Sequence, residues 1–446
     1  MPKIHIHSSL IVATGLLLSS AQSATALEMT EIGQIQIGDG EGFAEMIRYH
    51  SESESLMVTA SETGTIERIS MSNPAVMSMM PPLDLDGGDV TAVAVHDNLV
   101  AASIKAKAAD VPGTLKLFDV AGNLLARFET GALPDNVAFS PDGRYLLTAN
   151  EGEPSDDYML DPEGSFTLID LAGGAANAKV TQISLDGIEA PAGSRIVKPG
   201  SSFAADAEPE YVAFAPDGKT AYVTLQENNA VAVIDIDTAQ VAKVVGLGVK
   251  NVSRTSHDMS NKDGGINMKR WPVLMMYQPD AVVAYNVKGA TYLVTANEGD
   301  AKDYDGFSEE TRVGKLKLDG TLIFDSGNAF EQVIAKRSPD AFNANGGVDE
   351  FDDRSDDKGP EPEALALGEI DGRNYAFIGM ERNNAIFAYD ITLPSDPHMV
   401  GYMMPASSHN SPEGLEFIAA KDSPTGKPLL AIAYEMTGTI GVYQID

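Results

Sequence analysis

The chain has 446 residues, with 31 Lys and Arg against 65 Asp and Glu, a formal net charge of −34, and no cysteine. A polyanion of this size is repelled by nucleic acid and by anionic membrane, so neither is an expected partner. The absence of cysteine excludes disulfides, thiolate metal sites and a Cys nucleophile, while 43% apolar residues are ample for a core.

In chain order, residues 1–26 read as a secretory signal: Lys3 supplies the positive start, residues 10–19 a short apolar run, and Ala24-Thr25-Ala26 a small-x-small cleavage site. The run is too short to span a bilayer; an uncleaved N-terminal anchor is the alternative. The expectation is an exported protein, periplasmic or released, with residues 27–446 forming one domain. Residues 31–37 alternate like a strand.

The remainder is a repeat. Two weak copies begin at Glu45 and Asp89. The third pairs Pro134-Asp135 with Ala149-Asn150-Glu151, and the fourth pairs Pro209-Glu210 with Gln226-Glu227. The fifth pairs Pro279-Asp280 with Asn297-Glu298, the sixth Pro362-Glu363 with Met380-Glu381, and the seventh Pro412-Glu413 with Tyr434-Glu435. Each copy reads as strand, turn, strand, then a third strand opened by a small residue such as Gly64, Asn229, Asn384 or Gly438. A fourth strand closes most copies. Starts 44 and 46 residues apart at the N-terminal end match one four-stranded blade each. The predicted fold is all-β: a seven-bladed β-propeller with long acidic loops on one face and the N-terminal strand closing the last blade. A string of separate β-domains is the alternative.

In a propeller the first strand of each blade lines the central channel, and it begins where the second strand ends. The Pro–acid step and the Glu after the second strand therefore share one mouth. Insertions at 152–163, 186–208, 248–278, 299–311 and 325–361 open on the same side. Like charges gathered in one funnel need either raised pKa values or bound cations. Hard divalent ions with oxygen ligands fit, calcium above all. The candidate metal ligands are Asp135, Glu151, Glu210, Asp280, Glu298, Asp300, Glu363, Glu381 and Glu413. The alternative for each Pro–acid step is a turn or hydrogen-bonding role at the strand entrance.

Cations also fall near the mouth. Arg354, Arg382 and His257 are the candidate catalytic groups, the arginines suited to a bidentate grip on phosphate. Their alternative is pairing with neighbouring acids. There is no Gly-rich phosphate loop, Gly-x-Ser-x-Gly elbow or His-Glu-x-x-His motif.

Several long motifs resemble the choice-of-anchor I family. They include Asn150-Glu151-Gly152-Glu153-Pro154, Tyr277-Gln278-Pro279-Asp280-Ala281, Thr295-Ala296-Asn297-Glu298-Gly299-Asp300, residues 355–363, Glu381-Arg382-Asn383-Asn384 and Ser411-Pro412-Glu413-Gly414. The resemblance covers nearly all of the chain after residue 26. It implies an exported β-propeller of the kind labelled alkaline phosphatase-like or cell-surface glycoprotein-like. Residues 221–235 are similar to the wider YVTN-type propeller repeat. Two functions follow as expectations. One is a calcium-dependent phosphoesterase whose metal polarises a phosphate ester. The other is a non-catalytic surface or matrix binding propeller with structural calcium. A lactonase- or dehydrogenase-type propeller is a weaker third. The expected ligand is a small molecule or surface group, and the expected state a monomer.

Overall fold

A computed structural model describes residues 26–155, 158–299, 321–346 and 350–446. The signal-like segment and Asp300 lie outside these residues, as do Asp156 and Asp157 of the first acidic insertion.

Six antiparallel four-stranded sheets and one two-stranded sheet form the ring. Their first strands are Ile47–His50, Asp89–His96, Pro134–Phe139, Pro209–Phe214, Val282–Val287, Pro362–Ile370 and Pro412–Ile418. Each contacts the first strands of the copies before and after it, and Pro412–Ile418 returns to Ile47–His50. The seven copies thus close into the expected β-propeller. The fifth sheet has two strands among the described residues, Val282–Val287 and Ala290–Thr295.

Burial explains the strand sequences. Second strands such as Ser55–Ala60 and Leu429–Tyr434 are buried at every position, because neighbouring blades cover both faces. Outer strands such as Gln240–Gly246 alternate, with one face in solvent. The core clusters cross from blade to blade. Leu147 and Phe166 of the third blade pack with Val223, Leu225 and Ile234 of the fourth. Phe377 and Ile386 of the sixth pack with Leu430, Ile432 and Tyr434 of the seventh. A single blade cannot bury its own faces, so stability resides in the stacking.

Closure falls where the sequence places it. Met29–Gln36 pairs antiparallel with Thr439–Ile445, from Met29 opposite Ile445 to Gln36 opposite Thr439. Ile32, Ile35 and Ile37 pack on the cluster shared by the seventh and first blades. Gly438, which opens the last strand, has φ +59°, and a Cβ there would lie 2.7 Å from the Gly38 carbonyl oxygen. Only glycine fits this corner.

Three insertions hold regular elements instead of loops alone: 186–208 has a short helix Phe203–Asp206, 248–278 pairs Val249–Asn251 with Leu274–Met276, and 325–361 has a longer helix. Within the insertion 325–361, Ala329–Arg337 is an α-helix with Glu331 in its first turn and Lys336 and Arg337 in its last, as the helix dipole favours. Its Phe330, Val333 and Ile334 pack with Tyr285, Phe387 and Tyr389.

Deleting residues 27–37 strips three isoleucines from the core and bares a sheet edge. A loss of at least about 3 kcal/mol of stability is expected, together with self-association through that edge. Urea unfolding and light scattering check both.

Candidate metal centre at the channel mouth

The Pro–acid step is a repeated backbone device. Pro134 pairs with Asn150, Pro209 with Leu225, Pro362 with Met380 and Pro412 with Tyr434. In all four the register then slips by a β-bulge, and the acid stands in it: Asp135, Glu210, Glu363 and Glu413. A bulge re-aims a side chain and ends regular pairing. Here it turns each carboxylate into the channel.

The residue before the proline is held left-handed in four copies: Leu133 (φ 46°), Gln278 (φ 43°), Glu361 (φ 53°) and Ser411 (φ 67°). Such conformations cost on the order of 1–3 kcal/mol each and persist only where neighbours enforce them. The enforcement is visible. Glu151 N–H donates to the Leu133 carbonyl at 2.8 Å, Glu381 N–H to Glu361 at 2.8 Å, and Glu435 N–H to Ser411 at 2.9 Å. The acid after the second strand is thereby pinned beside the acid that starts the first. Side chains of the preceding blade complete the clamp. Asn229 Oδ1 accepts from the N–H groups of Tyr277 and Gln278 at 2.9 and 3.0 Å, and Asn384 Oδ1 from Ser411 N–H at 2.6 Å.

All seven first-strand acids line one cavity of about 370 Å³: Glu45, Asp89, Asp135, Glu210, Asp280, Glu363 and Glu413. Glu151, Glu298 and Glu435 line it as well, whereas in the fourth blade Gln226 does so instead of Glu227. Burial, reinforced by neighbouring carboxylates, pushes Glu210, Asp280, Glu363 and Glu413 far above the usual carboxylate range. For Glu210 the neighbours are Glu227, Asp280, Glu151 and Asp135; for Glu363 they are Glu413, Glu381 and Glu298. Glu435 is pushed up to about 7, by burial and then by Glu381, Glu41 and Glu45. Glu45 is raised less, because Ser61 and Thr59 donate hydrogen bonds to it.

The carboxylates converge most closely on one side. Glu363, Glu381 and Glu413 each offer an oxygen within 4.8 Å of the others, as do Glu298, Glu361 and Glu381. Glu210 Oε2 and Glu363 Oε2 are buried without a hydrogen-bond partner. Glu361 Oε2 of the second triad is orphaned as well, and such oxygen donors suit a hard cation such as calcium.

The cationic candidates occupy two places. Neither Arg354 nor Arg382 is among the cavity-lining residues; both pair with acids of the two triads. Arg354 bonds Glu361 through Nε and lies 3.0 Å from Asp357, while Arg382 lies 2.8 Å from Glu381 and 3.7 Å from Glu361. His257 is not among the cavity-lining residues. It is buried in the insertion, with Nδ1 2.8 Å from Glu331 Oε2 of the helix and Nε2 3.0 Å from Thr255 Oγ1. Sequence reasoning missed Glu361, fully buried and pushed up to about 7 by burial against the opposing pull of Arg354 and Lys358. Its signal is its place directly before Pro362. Arg48 and Lys105, which line the cavity, were missed too.

The model of the choice-of-anchor I domain matches residues 45–320 and 317–394. The chain belongs to the choice-of-anchor I family. Among curated relatives, Mesenchyme-specific cell surface glycoprotein of Strongylocentrotus purpuratus is 25% identical over 303 residues, covering 48% of this chain and 39% of that protein. Gigasin-3a of Magallana gigas is 31% identical over 144 residues, covering 28% of this chain and 51% of that protein. The alignments thus take in about half or less of these relatives. Two solved structures share the fold. The β-propeller domain of Cps50 (Swd1) from Myceliophteria thermophila aligns at TM-score 0.51 and 10% identity, covering 94% of this chain and 100% of that one. Kuenenia stuttgartiensis hydrazine synthase aligns at 0.52 and 13%, covering 91% and 96%. At these identities the likeness concerns the fold alone.

The raised carboxylates give this choice-of-anchor I propeller a definite pH response. A folded state that holds protons above pH 4.5 binds more of them than the unfolded chain, so stability falls as pH rises. With chelator present, the melting temperature is expected to drop between about pH 4.5 and 7, the interval set by Glu361 and Glu435. A flat or rising profile in differential scanning fluorimetry would contradict the assignment.

Proposed function

We propose that the protein is an exported calcium-binding β-propeller, a monomeric module that presents a divalent cation at its channel mouth to anionic groups of a small molecule or a surface. The observation that carries this reading is the convergence of seven acids from seven blades on one cavity, two with orphaned carboxylate oxygens. Glu363, Glu381 and Glu413 would hold the ion, with Asp135, Glu151, Glu210 and Asp280 lining the approach. The bound cation would supply charge neutralisation and a binding point for phosphate or carboxylate oxygen. Export is supported by the signal-like start and by the cell-surface name of the Strongylocentrotus relative. Among the described residues no helix is long and apolar enough to cross a membrane.

Phosphate-ester hydrolysis is the second reading. The placing of Arg382 2.8 Å from Glu381 favours it, since a guanidinium and a cation on that carboxylate would flank one bound phosphate. Arg354 and Arg382 are both engaged with acids, however, and would have to exchange those partners for substrate. The binding reading needs no such exchange.

Purified protein, stripped with chelator and retitrated, is expected to take up calcium by elemental analysis. At about 100 times the dissociation constant, the ion should stabilise the fold by about 2.7 kcal/mol. Glu363→Gln with Glu413→Gln should abolish uptake. No uptake and no thermal shift in the unaltered protein would refute the proposal. Chelator-sensitive turnover of p-nitrophenyl phosphate would move the choice to the second reading.

A further inference from the structure

The mouth contains two carboxylate triads that share Glu381: Glu363–Glu381–Glu413 and Glu298–Glu361–Glu381. Their surroundings differ. Lys358 enters only the second, its Nζ 2.5 Å from Glu298 Oε1 and 3.8 Å from Glu361 Oε2. Its side chain is 12% exposed and that of Glu298 11%, so the pair is largely withdrawn from water. Glu361 is fully buried, and its Oε2 accepts no hydrogen bond although Lys358 and Arg382 stand near it. Gln226 Nε2 donates to the other oxygen of Glu298 at 2.6 Å, which fixes that carboxylate toward the lysine.

We infer that Lys358 is a tethered cation occupying the second triad, so that the mouth accepts one divalent ion at Glu363–Glu381–Glu413 and excludes a neighbour from Glu298–Glu361–Glu381. This rests on reading the mouth as a calcium site. The physical reason is charge. Two triads sharing a carboxylate carry charge enough for two divalent ions side by side, as in two-metal sites. An ammonium supplies one positive charge and three donors in the same space. Being covalently attached, it adds no association cost of its own. Burial makes the substitution consequential, since removing one partner of a buried ion pair leaves an uncompensated charge. That charge would then recruit an ion from solution. Lys358 therefore sets the number of ions rather than their identity.

The test is calcium stoichiometry by titration calorimetry and native mass spectrometry on the full chain. The unaltered protein should bind one ion at the mouth, Lys358→Arg one, and Lys358→Met one more than the unaltered protein. Equal stoichiometry in the Met variant and the unaltered protein overturns the inference, as does a second ion already present beside Lys358. If Lys358→Met does not fold, Glu298→Gln decides. It should keep the ion with affinity changed by less than about threefold, whereas loss of an ion overturns the inference. The two readings fail separately. An unaltered protein that binds nothing while Lys358→Met binds one ion removes the calcium reading and upholds the role of the lysine.

Discussion

Mutual repulsion among carboxylates held in a closed ring is the constraint on which the rest of this structure depends. Seven blades stacked about one axis bring seven strand entrances together, and every entrance carries an acid. Water cannot screen them well, because the cavity is narrow and its walls are protein. The molecule answers this differently around the ring. At Glu45, hydroxyls of Ser61 and Thr59 donate hydrogen bonds. Around Glu361, two arginines and a lysine gather. At Glu210 and Glu363 an oxygen is left bare. Charge compensation is thus supplied around Glu361, although its Oε2 accepts no hydrogen bond, and is withheld at Glu210 and Glu363, where a foreign cation gains most.

Holding this arrangement takes backbone strain. A left-handed residue before proline recurs in four copies, and each is a poor conformation locally. The ring enforces it through hydrogen bonds made only after stacking, such as those that Asn229 and Asn384 accept from backbone N–H groups of the next blade. Site geometry and blade stacking are therefore one property. A substitution that loosens the stacking at Asn384 would free Ser411, and with it the bulge that aims Glu413.

The repeat made much of this legible from sequence. Pro followed by an acid, recurring at strand entrances, reports both the strand phase and the face on which the acids meet, because a propeller maps equal sequence positions to equal spatial ones. The closing strand was legible too, since residues 31–37 alternate and the last copy lacks a partner. What escaped was whatever the repeat does not encode. Glu361 lies in an insertion, and its importance arises from three cations brought from positions 354, 358 and 382. Pattern puts these cations near the mouth but does not say which acid they gather on. The helix Ala329–Arg337 escaped because its apolar face is short and is defined by Phe387 and Tyr389 from another blade. His257 looked like mouth chemistry by its place in an insertion, but the chain folds it against Glu331.

The two ends of the described chain lie side by side: Glu28 and Asp446 exchange backbone hydrogen bonds, and Leu27 N–H donates to the Val400 carbonyl of the neighbouring sheet. Anything spliced to either end, whether a lipid tether, a wall-sorting peptide or a further domain, would hang the ring from a single blade. The acidic opening would then face the same way relative to its support whichever end carried the attachment. Lineages could exchange one kind of tether for another without re-aiming what the propeller presents.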